Sequence, residues 1–226
     1  MKIKIKKRIS EAATGFKSID ELKEYRIVIK QEYGQYVFYF YKGEEETAYF
    51  ILDPEYVSCG YFQTHSSIYE DEGGEKDNKY GPFGYDLLIE LGTLLGKHVA
   101  SSGAPSGWMG NIEKGISAIN VWRYYNEKRS DVVKKEITDC PEDERRIRSL
   151  SQLKNNSYYV RGNPSNMNEA HYEALTKMYQ KKPIFLKKLK KAGMISGPDE
   201  IMSLIPGEEE KGFYDTVKDY FSKFFW

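Results

Sequence analysis

The sequence predicts an α+β domain, and three patterns carry that expectation. Residues 26 to 68 read as strands joined by turns, rich in β-branched and aromatic residues that suit a pleated, half-buried surface. From Pro82 the apolar period lengthens to about 3.6, as an amphipathic helix requires. After Asp131 the chain becomes more charged and reads as helices and loops. The expected product is a mostly antiparallel sheet flanked by helices, with a helical C-terminal extension.

Taken in order, residues 1–8 (M-K-I-K-I-K-K-R) alternate charge with Ile, read as an amphipathic edge strand, and lack the apolar run of a signal peptide. Ser18 and Glu21 have capping-box spacing, so a short helix is predicted to start there and end near Tyr25. Residues 26–30 (R-I-V-I-K) and 36–41 (Y-V-F-Y-F-Y) form a hairpin about Gly34. Residues 46–52 give a third strand and 56–68 a long fourth one, with Gly60 as a candidate bulge. Residues 70–79 are acidic, contain glycine and read as an exposed loop.

Phe83, Leu87, Leu88, Leu91 and Leu95 share one helix face, with Pro82 suited to the first turn and Gly96 to the stop. Residues 97–101 suit a short strand. Residues 113–129 suit a second helix that turns Ile116, Ile119, Trp122 and Tyr125 inward. Further on, residues 158–161 read as a last strand, 168–179 as a helix, and 183–192 (P-I-F-L-K-K-L-K-K-A) as a basic amphipathic helix closed by Gly193. Pro198, Pro206 and Gly207 punctuate a linker. One domain is therefore expected over 1–195, and a linker with an aromatic helix over 196–226.

The 34 basic and 34 acidic residues cancel, so no global field draws the chain to nucleic acid or to an anionic membrane. The basic strip at Lys181, Lys182, Lys187, Lys188, Lys190 and Lys191 has no base-stacking motif beside it, which makes nucleic acid an unlikely partner. No apolar run approaches the ~18 residues of a membrane span. Cys59 and Cys140 stand far apart in the chain and belong to no metal-spaced cluster, so two free thiols in a reducing compartment are expected. Three dispersed histidines and two cysteines predict no metal centre.

Two stretches carry a resemblance. Residues 80–90 (Y-G-P-F-G-Y-D-L-L-I-E) contain a G-P-x-x-Y-D element, and residues 117–132 contain A-x-x-V-W-x-Y-Y followed by R-x-D-V. Together with residues 182–193, they resemble a family of uncharacterised GNAT-like (N-acetyltransferase-fold) domains found in tailed-phage proteins. The resemblance spans roughly residues 45 to 195. It implies a GNAT-like mixed sheet and a location in the host cytoplasm, the phage virion or both.

GNAT-type enzymes hold the pyrophosphate of acyl-coenzyme A on backbone amides between the fourth strand and a helix. The resemblance puts Lys79, Tyr80, Gly81 and Gly84 at that place. Their two glycines are three apart rather than two, and Pro82 removes an amide donor from the cradle. Where the enzymes carry a general-acid tyrosine, this chain has Trp122, leaving Tyr124 or Tyr125 as substitutes and His65 or a water as base. The helical spacing of both tyrosines suits core packing better than catalysis.

The C-terminal residues 212–226 place Phe213, Val217, Tyr220, Phe221 and Phe224 at helical spacing and end in Trp226. Water would be a costly environment for that stripe, so it is expected to bind the body of the protein, another phage or virion protein or a neighbouring copy, with a membrane surface as the remaining alternative. Two functions follow. One is a phage structural or assembly-associated protein that uses a degenerate GNAT-like fold as a protein-binding scaffold and needs no cofactor. The other is an acyl-coenzyme A dependent N-acyltransferase, which would use acetyl-coenzyme A.

Overall fold

A computed structural model describes residues 22–68, 80–101, 113–137, 149–155 and 168–197. The first strands are β1 (Tyr25–Glu32), β2 (Gln35–Lys42), β3 (Glu45–Asp53) and β4 (Tyr61–Ile68). Helix α1 (Tyr80–Leu94), strand β5 (His98–Ser101) and helix α2 (Glu113–Lys128) follow. Next come β6 (Val132–Glu136), α3 (Leu150–Asn155), α4 (Glu169–Leu175), β7 (Lys177–Lys181), α5 (Ile184–Lys191) and β8 (Ile195–Ser196).

The eight strands among the described residues form one sheet in the order β6-β7-β5-β4-β3-β2-β1-β8. Pairing is antiparallel except between β4 and β5 and between β1 and β8. The α+β expectation therefore stands at the level of a mixed, mostly antiparallel sheet with helices. Among the described residues, no helix is long and apolar enough to cross a membrane.

Strand alternation gives the sheet two unlike faces. On the inner face Ile27, Ile29, Phe38, Phe40, Phe50 and Leu52 are buried, and Phe40 stands edge-on to Phe50 at 5.4 Å and to Phe83 of α1 at 6.0 Å. Each such side chain contributes about 1.5–3 kcal/mol by leaving water. Helix α1 sits so close that a Cβ on Gly84 would lie 2.3 Å from the Phe50 ring, and one on Gly92 would lie 2.3 Å from Val99. These two glycines, eight residues apart on one helix face, set the helix–sheet distance. The outer face of β1–β3 carries Val28, Tyr39, Tyr41 and Tyr49, all half-buried.

Several expectations are corrected. Residues 56–59 belong to a 3₁₀ turn, Pro54–Cys59, because Pro54 starts it and the Asp53 side chain caps it by accepting from the Glu55 N–H. Gly60 ends that turn at φ +87° and is no bulge; the irregularity in the sheet falls between Phe40 and Tyr41. The helix expected over 168–179 stops at Leu175, since residues 177–181 pair with β6 and β5 as a strand. Strands β6 and β8 and helix α3 were not foreseen. Tyr25, the expected end of a helix, already belongs to β1.

Cys59 is disulfide-bonded and is not the free thiol expected from two distant cysteines, because separation along a chain does not measure distance in space. Cys140, the loop over 70–79, the strand over 158–161, the first 21 residues and the linker and tail beyond Gly197 lie outside the described residues.

Candidate functional site

The two motif stretches meet in space. Tyr85 and Asp86 on α1 face Trp122, Tyr125 and Arg129 at the end of α2, and the rings form a chain: Tyr85 to Trp122 at 5.1 Å, Trp122 to Tyr125 at 5.8 Å, and Trp122 to Tyr179 of β7 at 5.2 Å. The Tyr125 hydroxyl lies 2.8 Å from the Pro82 carbonyl and 2.7 Å from Asp86 Oδ1. Arg129 donates to both Asp86 oxygens at 3.2–3.4 Å and to Asp131 at 2.6 and 2.7 Å.

One turn further along α1, Glu90 completes the arrangement. Its carboxylate accepts the Phe185 and Leu186 N–H groups at 3.1 and 2.8 Å, which caps the first turn of α5 from a neighbouring helix. Lys181 reaches in from β7, with Nζ 3.0 Å from Asp86 and 3.1 Å from Glu90 at angles outside hydrogen-bonding geometry. Asp86 and Glu90 are 0% exposed, Lys181 3% and Arg129 4%. Two carboxylates thus face two cations in a dry interior, where an uncompensated charge is prohibitively unstable.

Burial pushes the Glu90 carboxyl up, and Lys181 with the two backbone donors only partly offsets it. Burial also raises Tyr125 well above its ordinary value, and the Asp86 charge adds to this. For Asp131 burial acts upward, but the hydrogen bonds and charge of Arg129 outweigh it and hold the carboxyl low. The cluster therefore stores charge and holds geometry. Tyr125 is wholly buried, its hydroxyl is bonded to Asp86 and the Pro82 carbonyl, and burial makes it hard to ionise.

The sequence-derived catalytic residues do not converge. Tyr124 is half-buried on α2, its ring 6.4 Å from that of Tyr125. His65 pairs with Ile51 across β3 and β4, whereas its neighbour Ser66 pairs with Phe50 and lies 3.0 Å from the Tyr85 hydroxyl. Ser66 therefore faces α1 and His65 faces the other way, so the sheet stands between His65 and Tyr125. On its own face, His65 Nε2 lies 3.7 Å from Asp53, which also accepts from Gln35 at 2.6 Å.

Of the four residues placed at the coenzyme loop, Lys79 lies outside the described residues. Tyr80 opens α1, and Gly81 follows in the first turn, where a Cβ would meet Val121 at an ordinary 3.9 Å. Gly84 is spent on the approach to Phe50, which accounts for it without a ligand. The tail residues Phe213, Val217, Tyr220, Phe221, Phe224 and Trp226 lie outside the described residues.

A second buried polar group ties α2 to α4. His171 Nδ1 lies 2.7 Å from Asn168 Oδ1 in a capping box, and its Nε2 lies 3.1 Å from Asn120 Oδ1 and 3.3 Å from Arg123 Nη1. The reading from sequence missed this clasp and the ionic cluster alike. Asp86 and Glu90 at i and i+4 in an otherwise apolar helix were the available signal, since buried acids demand buried cations. Searched against protein-family models, curated proteins and solved structures, the chain matches none.

Proposed function

We propose that this chain is a phage structural or assembly-associated protein that uses a degenerate GNAT-like fold as a protein-binding scaffold. The observation that carries the reading is the fate of the motif residues. Tyr85, Asp86, Trp122, Tyr125, Arg129 and Asp131 satisfy one another in and around the core, so the pattern behind the resemblance is explained by folding and leaves no accessible proton donor among them. The phage assignment rests on the resemblance of residues 45–195.

Support for the GNAT-like part comes from the order of the described elements: antiparallel β1–β4, then α1 as the next described element after the fourth strand, then β5 parallel to β4. The same arrangement favours the second reading, an acyl-coenzyme A dependent N-acyltransferase, because α1 begins where such an enzyme cradles its donor. Against that reading stand Pro82, which offers no amide, and the engagement of its carbonyl by Tyr125.

A thermal-shift titration with acetyl-coenzyme A separates the two. The scaffold reading expects no shift at millimolar ligand, whereas a binder at about 100-fold excess over its Kd gains about 2.7 kcal/mol, or roughly 5–10 °C for a chain of this size. Mass spectrometry of purified particles and assembly intermediates tests the other half. Absence of the chain from both overturns it.

A further inference from the structure

The clasp between α2 and α4 is built around a histidine that both helices use as a neutral group. His171 is 4% exposed and sits in the first turn of α4. Each of its ring nitrogens faces one donor and one acceptor. At Nδ1 the Asn168 backbone N–H lies at 3.3 Å and Asn168 Oδ1 at 2.7 Å; at Nε2 Arg123 Nη1 lies at 3.3 Å and Asn120 Oδ1 at 3.1 Å. A neutral imidazole has one lone pair and one N–H, so either tautomer finds a donor at one nitrogen and an acceptor at the other. A second proton removes the lone pair. The Asn168 N–H then loses its acceptor, which undoes half of the reciprocal cap on α4, and an imidazolium stands 3.3 Å from a guanidinium.

The charges around the ring do not cancel this. Among the described residues, α2 brings Arg123, and Glu127 one turn further on opposes it. Helix α4 itself carries Glu169 and Glu173, both exposed. The other elements packed on α4 bring Lys154 from α3 and Lys177 from β7, the latter paired with Glu136. Burial, with the Arg123 charge adding to it, holds the affinity of the ring for a proton below its ordinary value. What loosens α4 is felt in the core, because the Ala174 carbonyl accepts the Tyr179 hydroxyl at 2.8 Å.

We propose that His171 makes the α2–α4 contact a pH-sensitive joint, shut around the neutral ring and opened when the ring takes up a proton. Open, the ring meets water and binds a proton near pH 6.5; shut, it binds one only at lower pH. Opening is therefore rare above pH 6.5, grows as pH falls between these two values and levels off below the second. The joint belongs to the fold, so it holds for a scaffold and for an enzyme alike, and coenzyme binding can fail or succeed without touching it.

The test is amide hydrogen exchange of α4 in the full-length protein, with the His171 ring nitrogens followed by NMR over the same pH range. Between pH 7.5 and 5.5 the opening constant of α4, corrected for intrinsic exchange, is expected to rise several-fold, with about tenfold as the ceiling for one proton. In His171→Gln the side chain can still accept the Asn168 N–H as a capping-box residue but does not titrate, and the profile is expected to be flat. A flat profile in the parent overturns the proposal, and so does an equal rise in the variant. Should the variant unfold early, the ring in the unmodified protein decides: its midpoint is expected below pH 6.5, and a midpoint at or above that value overturns the proposal, because opening would then gain nothing from acid.

Discussion

The inner face of β2 carries Tyr36, Phe38 and Phe40, and the outer face carries Val37, Tyr39 and Tyr41; the two sets differ by one step along the same strand and by everything around them. Inside, the rings meet α1 at van der Waals contact, and the nearby polar groups on α1, Asp86 and Glu90, are answered by Arg129, Lys181 and backbone donors. Outside, the tyrosines keep part of their surface exposed and tie their hydroxyls to carboxylates at the rim. The difference teaches that aromatic content alone does not say what a face is for. On the inner face exclusion of water makes every unpaired charge expensive, and on the outer face a tyrosine ring tolerates partial exposure because its hydroxyl keeps a polar partner.

The largest expected effect attacks the inner side. Asp86→Asn leaves Arg129 and Lys181 without their shared counter-charge in a dry interior and is expected to cost about 3–5 kcal/mol, lowering the melting temperature by roughly 6–20 °C. A loss below 1 kcal/mol in a denaturant titration would show that water reaches the cluster and that the two sides differ less than their geometry implies. Next comes Gly84→Ala. Its methyl group meets the buried Phe50 ring, so about 1–3 kcal/mol of overpacking competes with about 1 kcal/mol of helix propensity gained. Net destabilisation is expected, and a stabilised variant shows slack between α1 and the sheet.

The smallest effect is the dependence on pH. Burial lowers the His171 pKa, with the Arg123 charge adding to it, and Glu127 opposes them. Burial and Lys135 lower His98 on the other side of the sheet, against the Gly60 contact. A histidine with a lowered folded pKa holds fewer protons folded than unfolded. Its stabilisation is complete above the unfolded value near 6.5 and is lost as pH falls through the folded value. Glu90 has the opposite sign: its raised folded pKa adds stability at low pH that is lost as pH rises through that value. The unfolding free energy measured from pH 7 to pH 5 is therefore expected to fall less steeply in His171→Gln than in the parent. Equal slopes place the α2–α4 clasp outside the titrating set.

Much of the fold was legible. The hairpin about Gly34 followed from R-I-V-I-K and Y-V-F-Y-F-Y, because β-branched and aromatic residues suit a pleated surface and Tyr33 and Gly34 at φ +50° and +80° suit the turn. Helices α1, α2 and α5 followed from spacing alone. Strand β7 did not. Its five residues, K-M-Y-Q-K, are acceptable to a helix, and only hydrogen bonds to β5 and β6 make them a strand. The candidate site was legible as a set of names without partners: Tyr124 and Tyr125 were read as core residues or substitute acids, and only the fold shows that the Tyr125 hydroxyl meets Asp86.

From its sequence alone, this protein's local periods, its turn residues and its balanced charge were determined, since these depend on neighbours within a few positions. Which charge answers which was decided only in three dimensions. Asp86 needs a cation because burial forbids a bare carboxylate, but nothing near it in the chain says that Arg129 and Lys181 will supply one. That choice belongs to the sheet order, which brings β7 and the end of α2 against α1 from positions far along the chain.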